Sequence, residues 1–206
     1  MIAVLTGDII NSRKAKSPKE WHDLLRHALT DVSIKNRWEI FRGDSFQAEL
    51  SQPEKALKAA IYIKACIKTI KGLDVRIAIG IGSKDYVSVK VSESYGDAYL
   101  FSGDKFEDLK RDKQNLSLKT GDEIFDEDFN LFFKLALIIM DDWTPNSAIL
   151  IKTLFENESL SQKELGNLLG ISQSSVSERY NRAHLAEIIA LNNLFVKRIS
   201  TSKKSS

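Results

Sequence analysis

The chain has 206 residues, 43% of them hydrophobic and 28% charged, with a formal net charge of +2. That is the composition of an ordinary globular protein, long enough for one full domain and a small second one, and it excludes a disordered chain or a nucleic-acid coat protein. The single cysteine, Cys66, excludes an intrachain disulfide.

In chain order, residues 2–9 form a short apolar run that ends in Asp8 and Ile9, the pattern of a central strand. Ser17-Pro18-Lys19-Glu20 has capping-box spacing with proline at the first helical position, and predicts a helix to about residue 33. Residues 38–50 are two apolar runs joined at Gly43-Asp44, which predicts a hairpin with a two-residue turn. Pro53 opens a second helix, which Gly72 stops, and residues 75–81 form a clear strand. The order β-α-β-β-α-β predicts a ferredoxin-like α+β domain. Further strands are expected at 86–91 and 115–119, with a helix in the latter half of 96–111. Residues 122–142, rich in Phe and Leu, read as a long helix.

Pro145 marks an expected boundary between a front domain, residues 1–143, and an all-α domain, residues 144–200. From Thr144 on there are eight basic and five acidic residues, against a balance of −1 before it, which hints at an anionic partner. A helix is expected over 147–157. Ser161-Gln-Lys-Glu164 is a second capping box, Gly170-Ile171-Ser172 a turn, and Gln173 begins a longer helix. Helix, three-residue turn and helix is helix-turn-helix geometry. Ser172, Gln173, Ser174, Ser175, Ser177 and Glu178 would reach base edges in a major groove, and Arg179 and Arg182 would meet phosphates. Leu169, Ile171, Val176 and Tyr180 would be the packing side. The alternative is a helical hairpin that only mediates dimerisation. Residues 201–206 are polar and expected to be disordered.

Cys66 falls among apolar residues of a predicted helix and reads as a buried core thiol. His22, His27 and His184 show no zinc-ligand spacing. No stretch approaches the roughly 18–20 apolar residues of a membrane span. The N-terminus goes straight into a strand with no signal peptide, so a cytoplasmic protein is expected.

Asp8 and Asp44 would lie at one edge of the sheet. Two carboxylates that close repel unless a cation lies between them, and a hard ion such as Mg²⁺ or Mn²⁺ takes such an oxygen site. The alternative is that Asp8 caps the next helix and Asp44 is turn chemistry. Arg76, in an apolar strand, needs an acidic partner or faces a ligand.

Four ordered segments resemble the catalytic domain of class III nucleotidyl cyclases and, more distantly, GGDEF diguanylate cyclases. They are Thr6-Gly7-Asp8-Ile9, Arg42-Gly43-Asp44-Ser45-Phe46-Gln47-Ala48, Val75-Arg76-Ile77-Ala78-Ile79-Gly80 and Tyr95-Gly96-Asp97-Ala98. The resemblance covers about residues 1–120. It implies that Asp8, the Ile9 carbonyl and Asp44 hold one or two divalent ions. It also implies that backbone N–H groups around Asn11 and Ser12 face a nucleoside triphosphate. Arg42, beside Gly43 at the nucleotide side of the hairpin, would be a phosphate ligand or an exposed strand residue. The Asn and Arg that cyclases carry on the helix after the glycine are missing from residues 98–105, and their adenine-selecting Lys is replaced by Ile40. Missing transition-state donors favour nucleotide binding over turnover.

The whole chain resembles the SatD family, linked to bacterial acid and stress adaptation. The cyclase-like front domain and the helix-turn-helix together lead to the expectation of a nucleotide-responsive, DNA-binding regulator, with a homodimer presenting two such motifs to two half-sites. The alternatives are an active divergent nucleotidyl cyclase or nucleotidyltransferase whose helix-turn-helix serves assembly, and a catalytically dead dimerisation scaffold.

Overall fold

A computed structural model describes residues 1–202, which form an α+β fold. Among them are five strands in one mixed sheet and eight α-helices. The strands are β1 (Ile2–Ile10), β2 (Trp38–Phe41), β3 (Ser45–Leu50), β4 (Asp74–Gly82) and β5 (Leu116–Lys119), in the order β2-β3-β1-β4-β5. Only β4 and β5 run parallel. β1 therefore lies at the centre, as its unbroken apolar run requires.

Strand alternation sorts the sheet into two faces. Ala3, Leu5 and Ile9 of β1, with Val75, Ile77 and Ile79 of β4, enter the main core beneath α1 (Pro18–Val32) and α2 (Ala56–Lys68). Val4 turns the other way, onto Ala98 and Tyr99 of α3 (Asp97–Asp112). Helix α3 rides on the sheet backbone because β4 has no side chains there. A Cβ on Gly80 would stand 2.1 Å from the Ala98 carbonyl oxygen, and one on Gly82 2.6 Å from the Asp97 Cβ. Gly80→Ala is expected to lift α3 and cost about 1–3 kcal/mol of overpacking, seen as a lower urea midpoint with an unchanged slope.

On the first face α4 (Glu123–Met140) and α8 (Leu185–Ser202) complete the core, with Phe195 of α8 edge-on to Phe129 of α4 at 5.3 Å. Ile151 of α5 (Pro145–Glu156) joins it, as do Leu185, Ile188 and Ile199 of α8. Two lysines of α2 are buried here. Lys64 reaches Asp74 and Asp141, each at 2.6 Å, and Lys68 reaches Asp74 at 3.1 Å, so each enclosed cation is paired. Cys66 is fully buried, and burial pushes its thiol up to about 12, which suits a core residue without reactivity.

Several sequence expectations are corrected. Residues 86–91 are no strand; only Tyr86 and Tyr95 bridge. Arg37 takes the Ser88 carbonyl at 2.6 Å and the Val89 carbonyl at 3.4 Å, groups a ladder would need. The hairpin loop has three residues, because Phe41 pairs with Ser45 and both Arg42 and Gly43 adopt positive φ. Ser17 makes no side-chain cap bond, and α1 starts on Pro18 alone. The helix expected over 147–157 starts two residues earlier, with Pro145 at its first position, and ends at Glu156. The helix expected from Gln173 to Arg182 is present with those bounds, and His184 at φ 47° separates it from α8. Of the tail expected to be disordered, Thr201 and Ser202 close α8, and residues 203–206 lie outside the described residues. Among the described residues no helix is long and apolar enough to cross a membrane.

Candidate functional sites

Asp8 sits near the end of β1, opposite Ser45 of β3 and Arg76 of β4. Like Thr6, it belongs to the set of β1 residues that faces α3. Its Oδ1 lies 3.3 Å from Arg76 Nε, yet neither buried atom attains hydrogen-bond geometry. Burial raises the Asp8 carboxyl above the ordinary aspartate range. Arg76 and Lys110 oppose this, while the negative charges of Asp44 and Glu107 add to it. The result is a central carboxylate whose negative charge is incompletely compensated.

Asp44 comes to the same end of the sheet on the hairpin. Its Oδ2 accepts a bond from Ser12 Oγ at 2.5 Å, and its carbonyl accepts the Ile9 N–H at 3.1 Å. In an extended strand the N–H and C=O of one residue point to the same side, so the Ile9 carbonyl also faces the hairpin. Asn11 holds a left-handed conformation, φ 62°, and its amide donates to the Gly72 carbonyl at 3.1 Å. Ser12 starts the short 3₁₀ turn that follows. Asp8, Ile9, Asn11, Ser12, Arg42, Gly43 and Asp44 are thus all at one edge. The oxygens of Asp8, Asp44 and Ile9 are hard donors, and a cation beside the half-buried Asp8 would offset the burial that disfavours its charged form.

Beside this edge a cleft of about 460 Å³ opens between the hairpin and α3. Thr6 and Gln47 lie on its floor, Arg42 on one wall, and Phe106, Glu107 and Lys110 on the other. Lys110 Nζ stands 4.2 Å above the Phe106 ring. Gln47 donates to Thr6 Oγ1 at 3.1 Å, and Thr6 donates to Ser102 on α3 at 2.9 Å, which locks the floor to the helix.

One strand pair further along the same face, Glu49 is completely buried. It accepts bonds from Arg37, from Lys84 at 2.5 Å and from the Tyr99 hydroxyl at 2.5 Å. Burial alone would raise the Glu49 carboxyl; these three donors together hold it below the ordinary glutamate range. Through Arg37 the cluster also fixes the 84–95 crossing.

In the C-terminal part, α5, α6 (Gln162–Leu169) and α7 (Gln173–Arg182) enclose a small core of Leu150, Leu165 and Val176, with Leu169, Ile171 and Tyr180 packed against it. The Ser161–Glu164 capping box is formed in full. Gly170 ends α6 at φ 66°, and a Cβ on Gly166 would meet the Ile171 carbonyl at 2.8 Å, so the turn is tight. Ser172 caps α7, its side chain accepting the Ser175 N–H at 3.1 Å. Gln173, Ser174, Glu178 and Arg182 are exposed along α7, and Arg182 is ion-paired to Glu178; Ser175, Ser177 and Arg179 are half-buried.

A family model described as SatD family matches residues 1–193. The chain belongs to the SatD family. No curated protein and no solved structure matches it significantly. In this SatD chain, sequence reading missed Lys110, Glu107 and the Glu49 cluster. The available signal was the period-2 set Thr6/Asp8, Gln47/Glu49 and Arg76, polar positions on three neighbouring strands that all turn to one face.

It also missed a helical contact. His27 of α1 lies 3.4 Å from Asp31, one turn on, and 3.3 Å from Glu156 of α5, beside a larger cavity of about 670 Å³. The three ligand-type atoms lie within 4.8 Å of one another. Tyr62 donates to Asp31 at 3.0 Å and to Glu156 at 2.8 Å, and Lys152 pairs with Glu156. These acids accept hydrogen bonds, whereas the buried Asp8 Oδ1 has only its ion pair with Arg76, so this site reads as a bridge between α1 and α5.

Proposed function

We propose that this SatD-family protein is a nucleotide-responsive DNA-binding regulator. Its front half is read as a ferredoxin-like, cyclase-related domain that binds a nucleotide with Mg²⁺ or Mn²⁺. The β2-β3-β1-β4 order, with α1 and α2 on one face, supports that reading. The observation that carries it is the convergence of Asp8 and Asp44 at one strand end beside a cleft, with Asp8 short of compensating charge. A bound divalent ion would supply charge compensation there and polarise the phosphates. Arg42 and Lys110 would approach the phosphate oxygens from the two walls. Arg42 is itself held at φ 51°, a costly conformation for a non-glycine residue, and such positions concentrate at ligand sites.

The test is a thermal-shift panel of each nucleoside triphosphate, with and without Mn²⁺. A ligand that binds only the folded state raises the melting temperature by mass action. A metal-dependent rise with one nucleotide is expected. No rise with any of them would leave a dimerisation scaffold as the better reading.

α6, its tight turn and α7 are read as a helix-turn-helix that enters a major groove, with Gln173 and Ser174 toward bases and Arg182 toward phosphate. Arg182→Gln is then expected to weaken binding to all DNA sequences alike and to lower the slope of log affinity against log salt by about 0.9. An unchanged slope in a filter-binding titration would remove Arg182 from the interface.

A second reading, turnover, is favoured by one observation. Lys110 on α3, paired with Glu107 at 3.3 Å, lines the cleft and would offer a cation for phosphate charge in place of the missing Arg. Accumulation of a cyclic or transferred nucleotide product on prolonged incubation would distinguish it from binding alone.

A further inference from the structure

Helix α4 is apolar on two opposite sides. Phe125, Phe129, Phe133, Ala136, Leu137 and Met140 are buried against the sheet and α8. On the outer side Ile124, Leu131, Leu135 and Ile138 are 75%, 56%, 55% and 70% exposed. Their spacing of seven, four and three is that of a coiled-coil seam, and at 100° per residue they fall within a stripe about 60° wide. Exposed hydrophobic residues scattered singly need no explanation, but four aligned on one helix do.

We propose that this stripe is the contact between two copies of the chain, joined through antiparallel α4 helices. The pattern is self-complementary about Leu131. With a twofold axis there, Leu131 meets its own counterpart, and Ile124 of one copy meets Ile138 of the other. Glu127 and Lys134 lie on the same flank of the stripe, and both are exposed. Among the described residues neither is ion-paired within the chain. An antiparallel pairing sets like flanks against each other, so Glu127 of each copy faces Lys134 of the other, twice per dimer. The opposite flank is fixed from within the chain, since Asp128 reaches Arg198 of α8 at 3.6 Å. The proposal rests on neither nucleotide nor DNA binding. It does mean that α8, which follows α7 and packs on the buried side of α4, would be carried behind the interface, so that two α7 helices are presented about one axis.

Sedimentation velocity of the full chain at tens of micromolar tests it. The wild type is expected to run as a dimer. Leu131→Lys, at an exposed position, is expected to give a monomer with unchanged circular dichroism and melting profile at low concentration. Glu127→Lys is expected to weaken the dimer at least tenfold, and adding Lys134→Glu to it to restore assembly, which no loss of folding can mimic. A wild-type monomer at that concentration, a dimer indifferent to Leu131→Lys, or failure of the charge swap to rescue would each overturn the proposal.

Discussion

Asp8→Asn is expected to weaken Mn²⁺-dependent nucleotide binding at least a hundredfold, about 2.7 kcal/mol, and at the same time to raise the melting temperature of the ligand-free protein. Both effects have one cause. Burial lifts the Asp8 carboxyl above the ordinary 3.8, so the fold prefers it uncharged. The resulting destabilisation is absent below the ordinary aspartate range, grows as pH rises toward the lifted value, and is complete above it. Asparagine removes the charge while keeping an oxygen toward Arg76. A cation removes the same penalty by compensation, which is why binding should need the ionised form and fade at a higher pH than an exposed aspartate would impose. Asp44→Asn should lose binding without the gain in melting temperature. Unchanged nucleotide affinity in both variants would sink the metal site, whatever the melting curves do.

Glu49→Ala is expected to have the largest effect on stability, a loss of about 3–5 kcal/mol in urea unfolding. The carboxylate is fully enclosed, and removing it strands the Arg37 guanidinium and the Lys84 ammonium, both largely buried, and the Tyr99 hydroxyl. Glu49→Gln, which keeps the shape and loses the charge, should recover part of that loss. Because the Glu49 carboxyl is held below the ordinary glutamate range, its contribution is present at neutral pH. It declines as pH falls below about 4.5 and is gone once pH passes the depressed value. A wild-type-like unfolding midpoint for Glu49→Ala would mean that the enclosed charges find other partners.

The parts of this fold that were legible in the sequence are those with local causes. The apolar run of β1, the capping box at Ser161–Glu164 and the short α6, turn and α7 each follow from neighbouring residues. The Asp8–Asp44 edge was legible too, because a strand end and a hairpin tip have fixed places in an antiparallel pair. What local pattern could not give was decided by distant partners. Residues 86–91 have a strand-like composition, but Arg37, some fifty residues earlier, takes their carbonyls. An arginine in an apolar strand needs an acid, but that the acid is Asp8 follows only from the β1–β4 register, which no local pattern states. Lys110 and Glu107 look like solvated helix charges until α3 is seen to be drawn down onto Gly80 and Gly82.

The packing of Phe195 against Phe129, with the Trp143 indole donating to the Ala183 carbonyl at 3.1 Å, bears on how the two halves communicate. The C-terminal helices are not a pendant on a tether. Their last helix is a structural member of the front half, and the junction before α5 is braced on the far side of α7. The two halves are therefore joined by solid packing and not by a swivel. Heat should likewise melt both halves as one cooperative unit.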